Sequence, residues 1–95
     1  MYRVIELFGD SEPWWFFEGW EEDIVSSVEF TTFDEARCYF ENLWQKLTGS
    51  FPELERRDNF LAALWNENDE RWCEECGDFL QQFHGLALLK DNHTI

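Results

Sequence analysis

Three short runs in this chain are apolar on both alternations, and they restrict its fold more than any other feature. They are Val4-Ile5 with Leu7-Phe8, the segment "NFLAALW" from Asn59 to Trp65, and Leu86-Ala87-Leu88-Leu89. An extended strand sends successive side chains to opposite faces, so a strand of this kind is greasy on both sides of any sheet it joins. Both faces of such a sheet need a cover. The stretch "PWWFFEGW", Pro13 to Trp20, sharpens the demand by placing five large aromatic residues within eight positions. If extended, it turns Trp14 and Phe16 one way and Trp15 and Phe17 the other.

Tyr2 to Phe8 reads as the first strand, closed by the turn signal Gly9-Asp10-Ser11-Glu12-Pro13. Trp14 to Trp20 is expected to return antiparallel beside it, and Glu21-Glu22-Asp23 to form a solvated acidic loop. Ser27 to Thr31 reads as a weaker third strand. Thr32-Phe33-Asp34-Glu35 matches a capping box and starts a helix whose stripe is Phe33, Ala36, Phe40, Leu43, Trp44 and Leu47. Cys38 falls opposite that stripe, and Gly49 supplies a stop. Phe51 to Arg57 reads as a connector opened by Pro52, and Asn59 to Trp65 as a central strand. Asp69 is the expected N-cap of a second helix, with Trp72, Cys76, Phe79, Leu80 and Phe83 as its core stripe and Gly85 as its end. Leu86 to Lys90 is the last strand. The order ββ(β)αβαβ predicts an α+β fold with a mostly antiparallel sheet and two helices packed on one face.

With 95 residues, 44% of them hydrophobic and 19% aromatic, the chain supports one core. It is expected to form a single α+β domain over residues 1–95, with 91–95 as a flexible tail. No run approaches the roughly 20 apolar residues that a bilayer-spanning helix needs, and Glu6 and Asp10 interrupt any leader-like stretch at the front. The expected location is the cytoplasm, with no membrane association, where three cysteines would be reduced thiols.

The formal charge is −14, concentrated at the two ends of the sequence. Residues 1–36 carry ten acids and one base, residues 37–66 four of each, and residues 67–95 seven acids and two bases. Contact with nucleic-acid phosphates needs clustered cations, and only Lys46, Arg56 and Arg57 lie near one another. Nucleic acid is therefore disfavoured as a partner. Net acidity keeps a greasy chain soluble, and it also attracts a basic partner.

The front segment "MYRVIELFGDSEPWWFFEGWEEDI" and the back segment "LWNENDERWCEECGDFLQQFHGLALLKD" resemble the domain-of-unknown-function family numbered 1033, small proteins of low-GC Gram-positive bacteria. The resemblance spans almost the whole chain and brings no mechanism. Members sometimes carry a DNA-binding label, which the resemblance leaves as an alternative; this chain has no helix-turn-helix pattern and the wrong sign of charge for phosphate.

The spacing Cys73-Glu74-Glu75-Cys76 is the one motif with a recognised chemical use, in zinc sites or dithiol redox sites. A zinc site would draw further ligands from Cys38, His84 and His93. On a continuous helix, however, His84 would sit roughly 12 Å beyond Cys76. A redox site would resemble the Trp-Cys-x-x-Cys of thioredoxin, but Glu74 and Glu75 are expected to oppose thiolate formation, and too little chain follows to complete that fold. The plain reading makes Cys76 a small core residue. His84 beside Gly85 reads as a helix-end residue. No nucleophile elbow, phosphate loop or H-E-x-x-H motif is present, and no cofactor is expected unless zinc binds at Cys73 and Cys76.

The leading expectation is a small interaction or regulatory protein, not an enzyme. Trp14, Trp15 and Trp20 would be its anchors and Glu21, Glu22 and Asp23 its charged rim, facing a protein partner or a second copy of the chain. The alternative is a metal or thiol redox module centred on Cys73 and Cys76.

Overall fold

The structure, a computed structural model, describes residues 1–10, 20–57, 60–91 and 93–94, and for Trp20 its backbone only. Strand β1 (Tyr2–Gly9) is followed by a 3-10 turn (Trp20–Asp23), β2 (Ile24–Phe30), helix α1 (Phe33–Thr48), β3 (Glu53–Arg57) and β4 (Leu61–Trp65). Then come β5 (Glu70–Cys73), β6 (Asp78–Gln81), β7 (Phe83–Lys90) and the short β8 (His93–Thr94). The main sheet runs β2-β1-β7-β4-β3 with β8 beside β7, and every pairing in it is antiparallel. The β5-β6 hairpin is a separate two-stranded sheet. The class is α+β, built on a mostly antiparallel sheet.

The three doubly apolar runs become β1, β4 and β7, the three inner strands of the sheet's main path. One face buries Val4, Ala62, Leu86 and Leu88 under Ala36 and Phe40 of α1, with Phe33, Leu43, Trp44 and Leu47 packed alongside. The opposite face buries Ile5, Leu7, Leu61, Ala87 and Leu89 against one another and Ile24. Ile5, Ala87 and Leu89 have no exposed surface at all. Both faces are thus covered, as the alternation demands.

Helix α1 begins where the sequence sets it. The Glu35 N–H donates to Thr32 Oγ1 at 3.3 Å and the Thr32 hydroxyl donates to Glu35 Oε1 at 2.9 Å, the two contacts tying the cap to the first turn. The expected stripe faces the sheet, Cys38 is exposed, and Gly49 follows the last helical residue.

The second helix does not exist: residues 70–81, where it was expected, form the β5-β6 hairpin. Trp72 and Phe79 are seven residues apart, which is two turns of a helix but also the separation of partners across a hairpin with a short loop. They are cross-strand partners. Gly77 has φ +66 and its N–H donates to the Cys73 carbonyl at 2.9 Å, closing the turn at a position that disfavours side chains. Trp72, Cys76 and Phe79 are consequently exposed instead of forming a core stripe, and among the described residues one α-helix, α1, packs on the sheet.

Other boundaries also shift. Strand β1 pairs with β2 on one edge and with β7 on the other, and the returning strand expected at residues 14–20 falls outside the described residues except for Trp20, which opens the 3-10 turn. The Phe51–Arg57 connector contains edge strand β3, whose Glu55, Arg56 and Arg57 suit an edge that must resist further pairing. In the expected tail, Thr94 and His93 pair with Leu89 and Lys90.

Candidate functional site

Among the described residues, the hairpin holds two exposed large aromatics and two cysteines. Trp72 is 50% exposed and Phe79 57%, and their rings meet edge to face with centroids 5.0 Å apart. Such a pair in water is unusual for side chains of this size. Around it stand the exposed acids Glu70, Glu74, Glu75 and Asp78.

Asp10 attaches the hairpin to the main sheet. Arg71 donates from Nε to Asp10 Oδ1 at 3.2 Å and from a terminal guanidinium nitrogen to Oδ2, a bidentate clamp. Gln82, buried between the hairpin and β7, adds a bond from Nε2 to Asp10 Oδ1 at 2.6 Å. The Arg71 hydrogen bonds hold the Asp10 carboxyl below the usual carboxylate range, against partial burial. Asp23, at the end of the acidic turn, lies beside Gly9, the residue before Asp10. Its carboxylate sits so close to Gly9 that a Cβ there would be 2.7 Å from Oδ2. Partial burial, then the charges of Asp10 and Glu22, push the Asp23 carboxyl up. Asp10 thus feels the charge of Asp23 while it holds the hairpin through Arg71 and Gln82, and Glu21, Glu22 and Asp23 are all exposed.

Cys73 ends β5 and Cys76 lies in the turn. Their sulfurs are 2.9 Å apart, and the Cys76 N–H donates to Cys73 Sγ at 3.3 Å. Cys73 is half-buried, Cys76 exposed, and all three cysteines of the chain are free. The Cys76 thiol, followed by main-chain N–H groups of Cys76 and Glu75, holds the Cys73 thiol below its ordinary range, and Arg71 acts in the same direction. The same sulfur contact pushes the Cys76 thiol up, aided by burial and by negative charge on Cys73 and Asp10. Glu74 and Glu75 were expected to oppose a thiolate. Here the turn directs the Glu75 main-chain N–H toward Cys73, and that contribution favours one. An open cleft of about 490 Å³ is lined by Arg71, Trp72, Cys73, Glu74 and Glu75.

The other sequence candidates are scattered. Among the described residues, no three His, Cys, Asp or Glu side chains converge on a position that could hold a metal ion. His84 is not at a helix end but in β7, with Nε2 3.2 Å from Glu6 Oε1 and its ring 5.5 Å from that of Phe51. Arg56, expected in a small basic cluster, is bound bidentately by Glu41 and lies over the rings of Phe40, Trp44 and Phe60 at 5.0, 5.5 and 5.9 Å. Trp14 and Trp15 lie outside the described residues, as does the side chain of Trp20. Sequence reasoning missed Trp72, Phe79, Arg71 and Asp10 as surface features because it assigned the first two to a buried helix stripe. Their signal was Gly77 set between two short β-favouring runs.

No helix among the described residues is long and apolar enough to cross a membrane. No curated protein and no solved structure matches the chain. The family profile described as "Protein of unknown function (DUF1033)" matches residues 1–95, the whole sequence, and the chain belongs to that family.

Proposed function

We propose that this chain is an interaction protein of the cytoplasm that holds a basic protein partner on an acidic surface anchored by the hairpin aromatics. The observation that carries the reading is the exposure of Trp72 and Phe79, which meet edge to face on a two-stranded sheet separate from the main one. Large aromatics supply interface energy at low entropic cost, and flanking charge steers encounter. Glu70, Glu74, Glu75 and Asp78 form one side of the rim and Glu21, Glu22 and Asp23 the other, bridged at Asp10. In this reading Trp14, Trp15 and Trp20 extend the anchor set on sequence grounds.

A basic partner fits a formal charge of −14 better than a second copy of the chain, because two such subunits repel at close range. Nucleic acid fits it poorly, since Arg56 is engaged by Glu41 and the aromatic rings.

The test is photo-crosslinking in cells that produce the protein, with the photoreactive residue placed at Phe79 or, for comparison, at exposed Val25 on edge strand β2. A discrete adduct from position 79 alone, lost on Trp72→Ala and weakened by salt, is the expected result. Equal labelling from both positions, or none, overturns the reading. An adduct with the mass of two identical chains replaces the basic partner with a homodimer.

A further inference from the structure

We propose that Cys73 and Cys76 form a dithiol that reduces disulfide substrates, with Cys73 as the attacking sulfur and Cys76 as the resolving one. Three observations of geometry support it independently of the interaction surface. The two sulfurs are in contact at 2.9 Å, so side-chain movement of about 1 Å brings them to the roughly 2.05 Å of a disulfide in the second step. The Cys76 N–H points at Cys73 Sγ and not the reverse, so a negative charge is better stabilised on Cys73. Cys76 is the more exposed of the two, but Cys73 and not Cys76 lines the cleft beside Arg71 and Trp72, so a disulfide seated in that cleft lies against Cys73. The turn that sets these positions is fixed by the Gly77 to Cys73 bond and by the last ladder pair, Cys73 with Asp78. The titration directions of the two thiols agree with this division of roles.

The exchange balances without any further reactant. The Cys73 thiolate attacks one sulfur of a disulfide R–S–S–R, the substrate S–S bond breaks, and a mixed disulfide forms as the first thiolate leaves and takes up a proton. Cys76 then gives its proton to solvent and attacks Cys73 Sγ. The mixed disulfide breaks, the second thiolate leaves and is protonated, and a Cys73–Cys76 disulfide remains. Two thiols are oxidised and one disulfide is reduced by two electrons. Glu74 and Glu75 on the cleft wall favour a disulfide carrying positive charge over an anionic one.

The experiment uses the full chain in a Cys38→Ser background, with cystamine and oxidised glutathione as probes and intact mass as the readout. The protein with both hairpin thiols should lose the mass of two hydrogen atoms and retain no adduct. Cys76→Ser should trap one mixed disulfide on Cys73. Cys73→Ser should form its adduct on Cys76 at least about tenfold more slowly, as expected for a thiol with less thiolate character. Cystamine should react faster than oxidised glutathione, and Glu74→Gln with Glu75→Gln should narrow that gap. The assignment is overturned if Cys76 reacts as fast as Cys73, or if two stable adducts accumulate in place of the internal disulfide. It is also overturned if freshly purified protein carries stoichiometric zinc that protects both thiols, since the pair is then a metal half-site.

Discussion

Arg71 grips Asp10 across 61 residues of sequence, donating from two nitrogens to the two carboxylate oxygens. Asp10 follows the last residue of β1 and Arg71 lies in β5, so this clamp, together with the Gln82 bond to Asp10, couples the hairpin to the main sheet. The carboxyl is held below its ordinary range, so its stabilising contribution is present above the pKa of an unfolded aspartate and is lost as pH falls through the lower folded value. Asp10→Asn should therefore loosen the hairpin at neutral pH and flatten that part of the acid dependence. Hydrogen exchange of the β5 and β6 amides at several pH values checks this: faster exchange in the variant is expected there, with β1 and β7 unchanged.

Asp23 carries the opposite sign. Its folded pKa is raised, so its charge disfavours the fold at neutral pH, and protonation as pH falls through the raised value relieves the penalty. Because Asp23 is exposed and water screens its charge, Asp23→Asn should raise the midpoint of thermal unfolding at neutral pH only slightly, by about 2 °C or less. The gain should shrink in acid, which thermal scans by circular dichroism at two pH values will show.

Core and surface aromatics should separate cleanly. Phe40 has no exposed surface and meets Phe60 edge to face at 5.5 Å, so Phe40→Ala should cost about 3 to 5 kcal/mol in denaturant unfolding. Trp72→Ala, at a half-exposed position, should cost about 1 kcal/mol or less while leaving far-ultraviolet circular dichroism unchanged. Equal losses would mean that the hairpin packs as part of the core.

Arg56 joins β3 to α1 by two means at once, the Glu41 carboxylate and the faces of three rings. The hydrogen bonds from Arg56 hold the Glu41 carboxyl below its ordinary range. Lysine cannot reproduce a planar bidentate contact, so Arg56→Lys should destabilise by about 0.5 to 1.5 kcal/mol. A double-mutant cycle with Glu41→Gln should return a coupling of up to about 1 kcal/mol, discounted because both side chains are partly in water.

The Cys73 thiol owes its lowered range first to the Cys76 thiol. Alkylation of Cys73 as a function of pH should therefore inflect below the value of an ordinary thiol in a Cys38→Ser background. In the additional variant Cys76→Ala the inflection should move up, since the neighbouring sulfur is gone while the main-chain N–H groups remain. Rates followed by mass spectrometry decide the matter. An unmoved inflection would assign the effect to the backbone alone.

The sequence alone determined what depends on local chemistry and on alternation. Thr32 and Glu35 make a cap wherever a helix follows them, and the stripe from Phe33 to Leu47 can face only one way, so α1 was legible to the residue. Runs apolar at every position, such as Leu61 to Leu64 and Leu86 to Leu89, had to become inner strands buried on both faces. Family membership, too, was carried by the residues themselves.

What only the tertiary structure decided is which strands meet and which of two compatible periods wins. A spacing of seven between Trp72 and Phe79 serves a helix stripe and a hairpin pair equally well. The helix lost because Gly77 takes φ +66 and because Arg71 and Gln82 are drawn to Asp10, a partner far away in sequence. Likewise β1 cannot choose its neighbours from its own residues: β2 and β7 claim its two edges because antiparallel pairing there buries Val4 against Leu88 and sets Ile5 beside Ala87. The dithiol follows from the same choice. On a helix Cys76 would have turned into the core; on a hairpin turn it lies in solvent, in contact with Cys73.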